Sequence, residues 1–288
     1  AMTAASIDEA VRNAVCVGVD LDKIAGLDNF CWPDPIESEK TPDGRYKLAQ
    51  LVRSNRALDD VCRAYNLPCI SGKDSMKNDA KLDGQKISIP PTLLYTVLGD
   101  HQDVRKAVSS DFKDCGDTIF LLGETHQELG ASELSYMLAE ETGGGIGNDV
   151  PQIDTTRNLA LYRALTSAMS EGLVRSAHDC SDGGLAAAIA ECCFGCDGGT
   201  TISLDGIEGV DNWAALFGES LGRIVVTVSP ENVQRFGTIM AKHSVTKLGQ
   251  VDDKETLEFT RDQNTILSSN LSDLLQAWKG TLHMGGEA

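Results

Sequence analysis

The sequence predicts an α/β or α+β fold in two parts. Apolar residues at helical spacing alternate with short extended apolar runs along the whole chain. No repeat at a fixed period relates the segments. The chain has 288 residues, 41% hydrophobic and 24% charged. That is enough for a sizeable core in one large or two ordinary domains.

In the first part, residues 7–19 read as a helix. Ile7, Ala10, Val11 and Ala14 form its apolar stripe, and Ser6 stands where a cap belongs. A long irregular stretch follows, Leu27 to Tyr46, with turn chemistry at Trp32-Pro33-Asp34-Pro35 and Thr41-Pro42-Asp43-Gly44. Residues 47–65 repeat the helical spacing through Leu48, Leu51, Val52, Leu58, Val61 and Cys62. Pro68-Cys69-Ile70 is a short strand that ends in Ser71-Gly72-Lys73-Asp74-Ser75-Met76. Thr92 to Leu98 is a stronger strand, and Val104 to Val108 a short helix.

A boundary is expected near residue 113, dividing the chain into 1–112 and 113–288. Beyond it, strands are expected at 117–122, 172–177, 200–204, 223–228, 244–250 and 255–259. Helices are expected at 155–171, 184–194, 231–243 and 271–278.

Charge and composition exclude several functions. There are 25 basic and 43 acidic residues, a formal net charge of −18. A surface this acidic repels a nucleic-acid backbone, although a cation can reverse the field inside one cleft. No apolar run approaches the roughly 18 residues a membrane helix needs. Ala1 to Ser6 lacks the features of a signal peptide, so a cytoplasmic protein is expected. The nine cysteines are irregularly spaced. Cys193-Phe-Gly-Cys196 has no second close pair for zinc and ends a helix rather than opening one, so reduced thiols are expected.

Four local patterns carry possible chemistry. Gly72-Lys73 is not a Walker loop, because Leu67 and Asp74 stand where glycine and Ser or Thr are needed. It leaves a glycine, a cation, a carboxylate and a hydroxyl at a strand end, which fits phosphate or an ordinary turn. Gly143-Gly144-Gly145-Ile146-Gly147-Asn148 is rich enough to wrap phosphate or to serve as a flexible connection, but it lacks the dinucleotide fingerprint. His178-Asp179-Cys180-Ser181-Asp182-Gly183-Gly184 ends a strand and opens a helix, where backbone N–H groups suit an anion. Two carboxylates there would repel phosphate unless Mg2+ lay between them; otherwise Ser181 or Asp182 caps the helix. Glu9 and Asn13, four residues apart, share one helix face with hard oxygen donors, and would equally suit a solvated face. Phe217-Gly218-Glu219-Ser220 reads locally as a loop.

In this order, these runs resemble the phosphoribosylformylglycinamidine synthase (formylglycinamide ribonucleotide amidotransferase) family, in the second half of its synthetase region. The matching runs are Asp8-Glu9-Ala10-Val11-Arg12-Asn13, Leu27-Asp28-Asn29-Phe30-Cys31-Trp32, Ile70-Ser71-Gly72-Lys73-Asp74-Ser75-Met76, His178-Asp179-Cys180-Ser181-Asp182-Gly183-Gly184-Leu185 and Leu216-Phe217-Gly218-Glu219-Ser220. The resemblance covers about residues 7–280.

It implies a two-domain, aminoimidazole ribonucleotide synthetase-like unit with an incomplete amino-terminal domain. It also implies ATP-dependent conversion of formylglycinamide ribonucleotide to its amidine with glutamine-derived ammonia. Glu9, Asn13 and Asp179 match positions that hold Mg2+ on an auxiliary nucleotide, ATP or ADP, with Ser181 beside them. Gly183 and Gly184 open the helix at that site. Gly72, Lys73, Asp74 and Ser75 match a segment near the ATP phosphates of the other half, and Gly218, Glu219 and Ser220 a loop near the ligand cleft.

No residue here matches the family's catalytic histidine, which belongs to the first half. The expected partners are that half and a glutaminase domain or subunit, and the chain is expected to be inactive alone. Exposed sheet edges predict a dimer or larger assembly. A structural module that holds Mg-ADP without turnover is the alternative. A third possibility is a relative acting on a selenium, thiamine or hydrogenase-maturation substrate, which the run Ser71–Met76 argues against.

Overall fold

The computed structural model describes residues 1–101, 103–196 and 198–280. Helix α1 (Met2–Cys16) buries Ile7, Val11 and Val15 on one stripe, and sets Asp8 and Arg12 on the same buried side. It begins earlier than expected. Thr3 and Ala4 are buried, so packing rather than a cap holds its first turn. Ser6 lies inside the helix, its hydroxyl donating to the Met2 carbonyl at 3.1 Å.

Strand β1 (Ile24–Cys31) is central in a three-stranded sheet, between β2 (Cys69–Ser75) and β5 (Thr92–Gly99). It pairs in parallel with β2 and antiparallel with β5. Two expectations change here. Leu27 to Cys31 belong to a strand, not to the irregular stretch. Gly72 to Ser75 lie within β2, so they form no strand-end turn. Helix α2 (Gly44–Tyr65) connects the first two strands. Strands β3 (Asp79–Leu82) and β4 (Gln85–Ser88) form a hairpin across Asp83-Gly84, both left-handed at φ +50° and +83°. An Asp-Gly pair suits such a turn.

After a short 3-10 turn at Val104–Lys106, β6 (Thr118–Leu122) joins β7 (Ser176–Asp179), β9 (Ile224–Val228) and β10 (Val245–Gln250) in the sheet order β10-β6-β9-β7. Every pair in it is antiparallel. Both β6 and β9 are buried along their whole length, because each face meets a separate core. Phe120, Leu122 and Val226 join one core with α1, α2 and α4 (Thr155–Ser170). Ile119, Leu121 and Val225 join a second with α5 (Gly184–Cys193), β8 (Thr200–Ser203) and β11 (Thr256–Arg261). The first core draws on residues from both sides of position 113.

Strand β11 also pairs with β12 (Asn264–Asn270), which the sequence reading did not anticipate. Helices α3 (Glu133–Thr142), α6 (Asn212–Phe217), α7 (Val233–Met240) and α8 (Leu271–Gly280) complete the chain. No helix among the described residues is long and apolar enough to cross a membrane.

Candidate functional site

Strand β7 delivers Asp179 to the turn that opens α5. Gly183 and Gly184 make that turn with φ of +76° and +67°, where L side chains are strained. A Cβ on Gly184 would also fall 2.5 Å from the Gly218 carbonyl oxygen. Two glycines therefore let the 218–220 loop approach the start of the helix closely.

Three sequence-predicted residues are joined here by hydrogen bonds, and a fourth, Glu9, lies within electrostatic reach. Asn13 of α1 donates through Nδ2 to Asp179 Oδ1 at 3.3 Å. Ser181 Oγ donates to Asp179 Oδ2 at 2.5 Å. Glu9 sits one turn before Asn13, and its carboxyl is raised above the usual range. Loss of hydration is the main cause; Arg12 opposes the shift, while Asp182, Asp179 and Asp8 add to it. Neither Ser181 nor Asp182 caps α5 by its side chain: Gly183 is the cap residue. The Ser181 hydroxyl points to Asp179 instead, and the Gly183 N–H donates to Glu219 Oε1 at 3.0 Å.

Beneath this rim lies a network that motif reading passed over. Arg12 and Asp8 pair at 2.5 Å with side chains only 2% and 0% exposed. Asp8 also accepts hydrogen bonds from Tyr162 at 2.9 Å, Asn158 at 3.0 Å and Tyr65. Arg12 Nη2 donates to Ser181 Oγ at 3.0 Å and to the Cys180 carbonyl at 3.3 Å. The chain of bonds runs from α2 and α4 through Asp8 and Arg12 to Ser181 and Asp179. The i,i+4 spacing of Asp8 and Arg12 is visible in sequence, but it more often marks a surface pair.

The 218–220 loop is held from below by Arg223, which is fully buried. Its guanidinium donates to the carbonyls of Gly218 and Ser220 and to Thr125 Oγ1. Ser220 Oγ accepts from the His126 N–H at 3.0 Å. Glu219 Oε1 also accepts from the Glu133 N–H at 2.9 Å, so one carboxylate oxygen serves the first turns of both α3 and α5.

The remaining predicted residues lie elsewhere. Gly72, Lys73, Asp74 and Ser75 are on edge strand β2, on the far side of β1 from β5. Lys73 Nζ donates to Ser75 Oγ, and a Cβ on Gly72 would fall 2.8 Å from Asp28 Oδ1. No hydrogen bond among the described residues joins this segment to Asp179. Glu9 and Asn13 instead line a groove of about 590 Å³ against Leu94 and Thr96 of β5. Gly143 ends α3 in a left-handed conformation, and the glycine-rich run after it returns to Ala131, whose N–H donates to the Ile146 carbonyl at 2.7 Å.

The family described as "AIR synthase related protein, C-terminal domain" matches residues 115–262, just over half of the chain. The chain belongs to the AIR synthase related protein family. Its fold is that of several solved structures. Thermotoga maritima PurL complexed with FGAR aligns over 94% of this chain and 42% of its own, at a TM-score of 0.70 and 18% identity. PurL from the same organism complexed with ATP aligns over 94% and 40%, at 0.66 and 16%. A HypE–HypF complex aligns over 93% and 83%, at 0.66 and 14%. The chain thus spans about two fifths of the length of the PurL chains it matches.

For this AIR synthase relative, the rim fits Mg2+ by its chemistry. Glu9, Asn13 and Asp179 carry oxygen donors of the kind Mg2+ takes, and burial is the main cause of the raised Glu9 carboxyl, with Asp182, Asp179 and Asp8 adding to it. Asn13 presents its nitrogen to Asp179, so its amide must turn to offer oxygen. No three His, Cys, Asp or Glu side chains among the described residues are grouped closely enough to hold a metal by themselves.

Proposed function

We propose that this chain is the second synthetase half of a phosphoribosylformylglycinamidine synthase, with parts 1–112 and 113–288, and that its rim holds a Mg2+-nucleotide. The observation that supports this is the meeting of Glu9, Asn13, Asp179 and Ser181 at the start of α5, from segments some 166 residues apart. Mg2+ would supply the positive charge that lets phosphate approach the carboxylates. Ser181 and Arg12 hold Asp179 in place. Gly183 and Gly184 bring the 218–220 loop up to the start of α5, beside that rim.

Amide-to-amidine chemistry in this reading belongs to a partner half, with ammonia from a glutaminase. Mixing the chain with that half, ATP, formylglycinamide ribonucleotide and ammonia should restore amidine formation, and activity of the chain alone would refute the division of labour. Binding is tested separately. Mg-ADP at about 100 times its dissociation constant should stabilise the chain by roughly 2.7 kcal/mol. Glu9→Gln and Asp179→Asn should lose that gain; an unchanged gain removes the rim from the site.

The same meeting of residues favours a second reading, a module that holds Mg-ADP and never turns it over. Nucleotide held at the rim that is neither hydrolysed nor exchanged while the reconstituted enzyme turns over ATP at the other half would select it. HypE shares the fold, so fold alone does not choose the substrate. The case for the purine reading over that relative is the run Ser71–Met76.

A further inference from the structure

Cys62 and Cys69 stand apart from the rim, in the first sheet. Cys62 is in the last turn of α2, and Cys69 is the first residue of β2. Asn66, left-handed at φ +51°, ends the helix and turns the chain back at once. The two sulfurs consequently lie 3.8 Å apart, in contact but unbonded. The Tyr95 hydroxyl reaches both, at 3.2 Å from Cys62 and 3.3 Å from Cys69. Gly26 makes that reach possible: a Cβ there would fall 1.9 Å from the Tyr95 hydroxyl. Cys69 is exposed and Cys62 buried. Six of the other seven cysteines have no cysteine sulfur as a hydrogen-bond partner in the described structure, and the seventh, Cys196, bonds to carbonyls.

We propose that Cys69 and Cys62 form a thiol pair that reacts with low-molecular-weight disulfides, Cys69 as the entry thiol and Cys62 as the resolving thiol. The exposed Cys69 thiolate attacks one sulfur of glutathione disulfide. A mixed disulfide forms and one glutathione thiolate leaves, taking up a proton. The Cys62 thiol then loses its proton to water and attacks the Cys69 sulfur. The Cys62–Cys69 bond forms and the second glutathione leaves. Two protein thiols are oxidised and one glutathione disulfide is reduced to two thiols. Burial pushes Cys62 up to about 11, which keeps it a protonated, slow nucleophile and leaves entry to Cys69; its 3.8 Å contact with the Cys69 sulfur is what favours it in the second step. The product ties the start of β2, an edge strand held only by β1, to the end of α2.

Trypsin separates the two cysteines at Arg63, leaving Cys62 in peptide 57–63 and Cys69 in 64–73. After incubation of the full chain with glutathione disulfide, blocking of free thiols and non-reducing digestion, these two peptides should appear as one linked species. The thiols of both peptides should be lost together, whatever mixed disulfide forms at exposed Cys115. Cys69→Ser, at an exposed position, should abolish the link and leave Cys62 in peptide 57–63 unmodified. Cys62→Ser should stop the reaction at glutathionylated Cys69. A linked species that maps to Cys193 and Cys196 instead, a mixed disulfide on Cys69 that never resolves in the wild type, or no reaction at Cys69 would each overturn the proposal.

Discussion

Replacing Asp8 by alanine should cost about 5 kcal/mol of folding stability. The carboxylate is fully buried and receives Arg12, Tyr65, Asn158 and Tyr162. Removing one partner of a buried ion pair typically costs about 3–5 kcal/mol, because the other charge stays buried. Three further donors lose their acceptor, at about 1 kcal/mol each. Water entering the vacated space offsets part of that sum, and neighbouring terms are not additive. Arg12→Met should cost less, about 3 kcal/mol, since Asp8 keeps three donors. With an m-value near 3 kcal/mol/M, the Asp8→Ala midpoint in urea should fall by about 1.7 M. The double variant should recover about 2 kcal/mol relative to the sum of the singles. A loss under about 1 kcal/mol for Asp8→Ala, or strict additivity, would refute the network as the anchor of the site.

Asp117 is buried with Oδ2 lacking a hydrogen bond, its one ion-pair partner being Arg175 Nε at 3.6 Å among the described residues, and burial, with Glu231 nearby, raises its carboxyl above 3.8. A raised folded value means that stability falls as pH rises through it; Asp117→Asn should therefore be the more stable protein at pH 7, and the gap should close as pH drops below 3.8. Urea unfolding across pH reads this, and a constant gap contradicts it. Gly184→Ala combines φ of +67° with a Cβ 2.5 Å from a backbone oxygen, so a loss of about 3 kcal/mol is expected in thermal unfolding. A variant as stable as wild type would show that the 218–220 loop yields. On the open sheet face, Leu94 and Leu98 are 60% and 58% exposed. Light scattering should find a dimer or larger assembly at micromolar concentration, and Leu94→Lys with Leu98→Lys should dissociate it; a monomeric wild type sinks this expectation.

Much of the second half was legible because its strands are continuous apolar runs, such as Ile119 to Leu122 and Ile224 to Val228, covered on both faces. Strand β1 was not, since the adjacent Asp28 and Asn29 put a polar residue on each of its faces and break the alternation. The β3–β4 hairpin had a readable signal in Asp83-Gly84. The β11–β12 turn had none, because Asp262 and Gln263 adopt left-handed φ without a glycine. At the site, the four-residue spacing of Glu9 and Asn13 gave a shared face, and the glycines gave a helix start. Periodicity cannot show that Asn13 meets Asp179, nor that Asp8 and Arg12 face inward. Those facts depend on Tyr65, Asn158 and Tyr162, which are remote in sequence and individually unremarkable.

Under the proposed function, the electrostatics of the rim dictate how the nucleotide would enter. Two fully buried guanidiniums, Arg12 and Arg223, lie near the carboxylates of Glu9, Asp179, Asp182 and Glu219. Arg12 is held well protonated by Asp8, despite burial, so its charge is matched from within. Arg223 is pushed down by burial and by nearby Arg12, and its donors are committed to the Gly218 and Ser220 carbonyls and Thr125. The Gly183 N–H that would greet a phosphate already serves Glu219. An anion arriving alone therefore meets carboxylates and no free cation of the rim. ADP in EDTA should leave the unfolding temperature unchanged, while ADP with Mg2+ raises it. Glu219→Gln keeps the acceptor for Gly183 and removes one charge, so it should weaken the requirement for Mg2+ without abolishing binding. Equal binding of ADP with and without Mg2+ would mean that the rim is not where the phosphates lie.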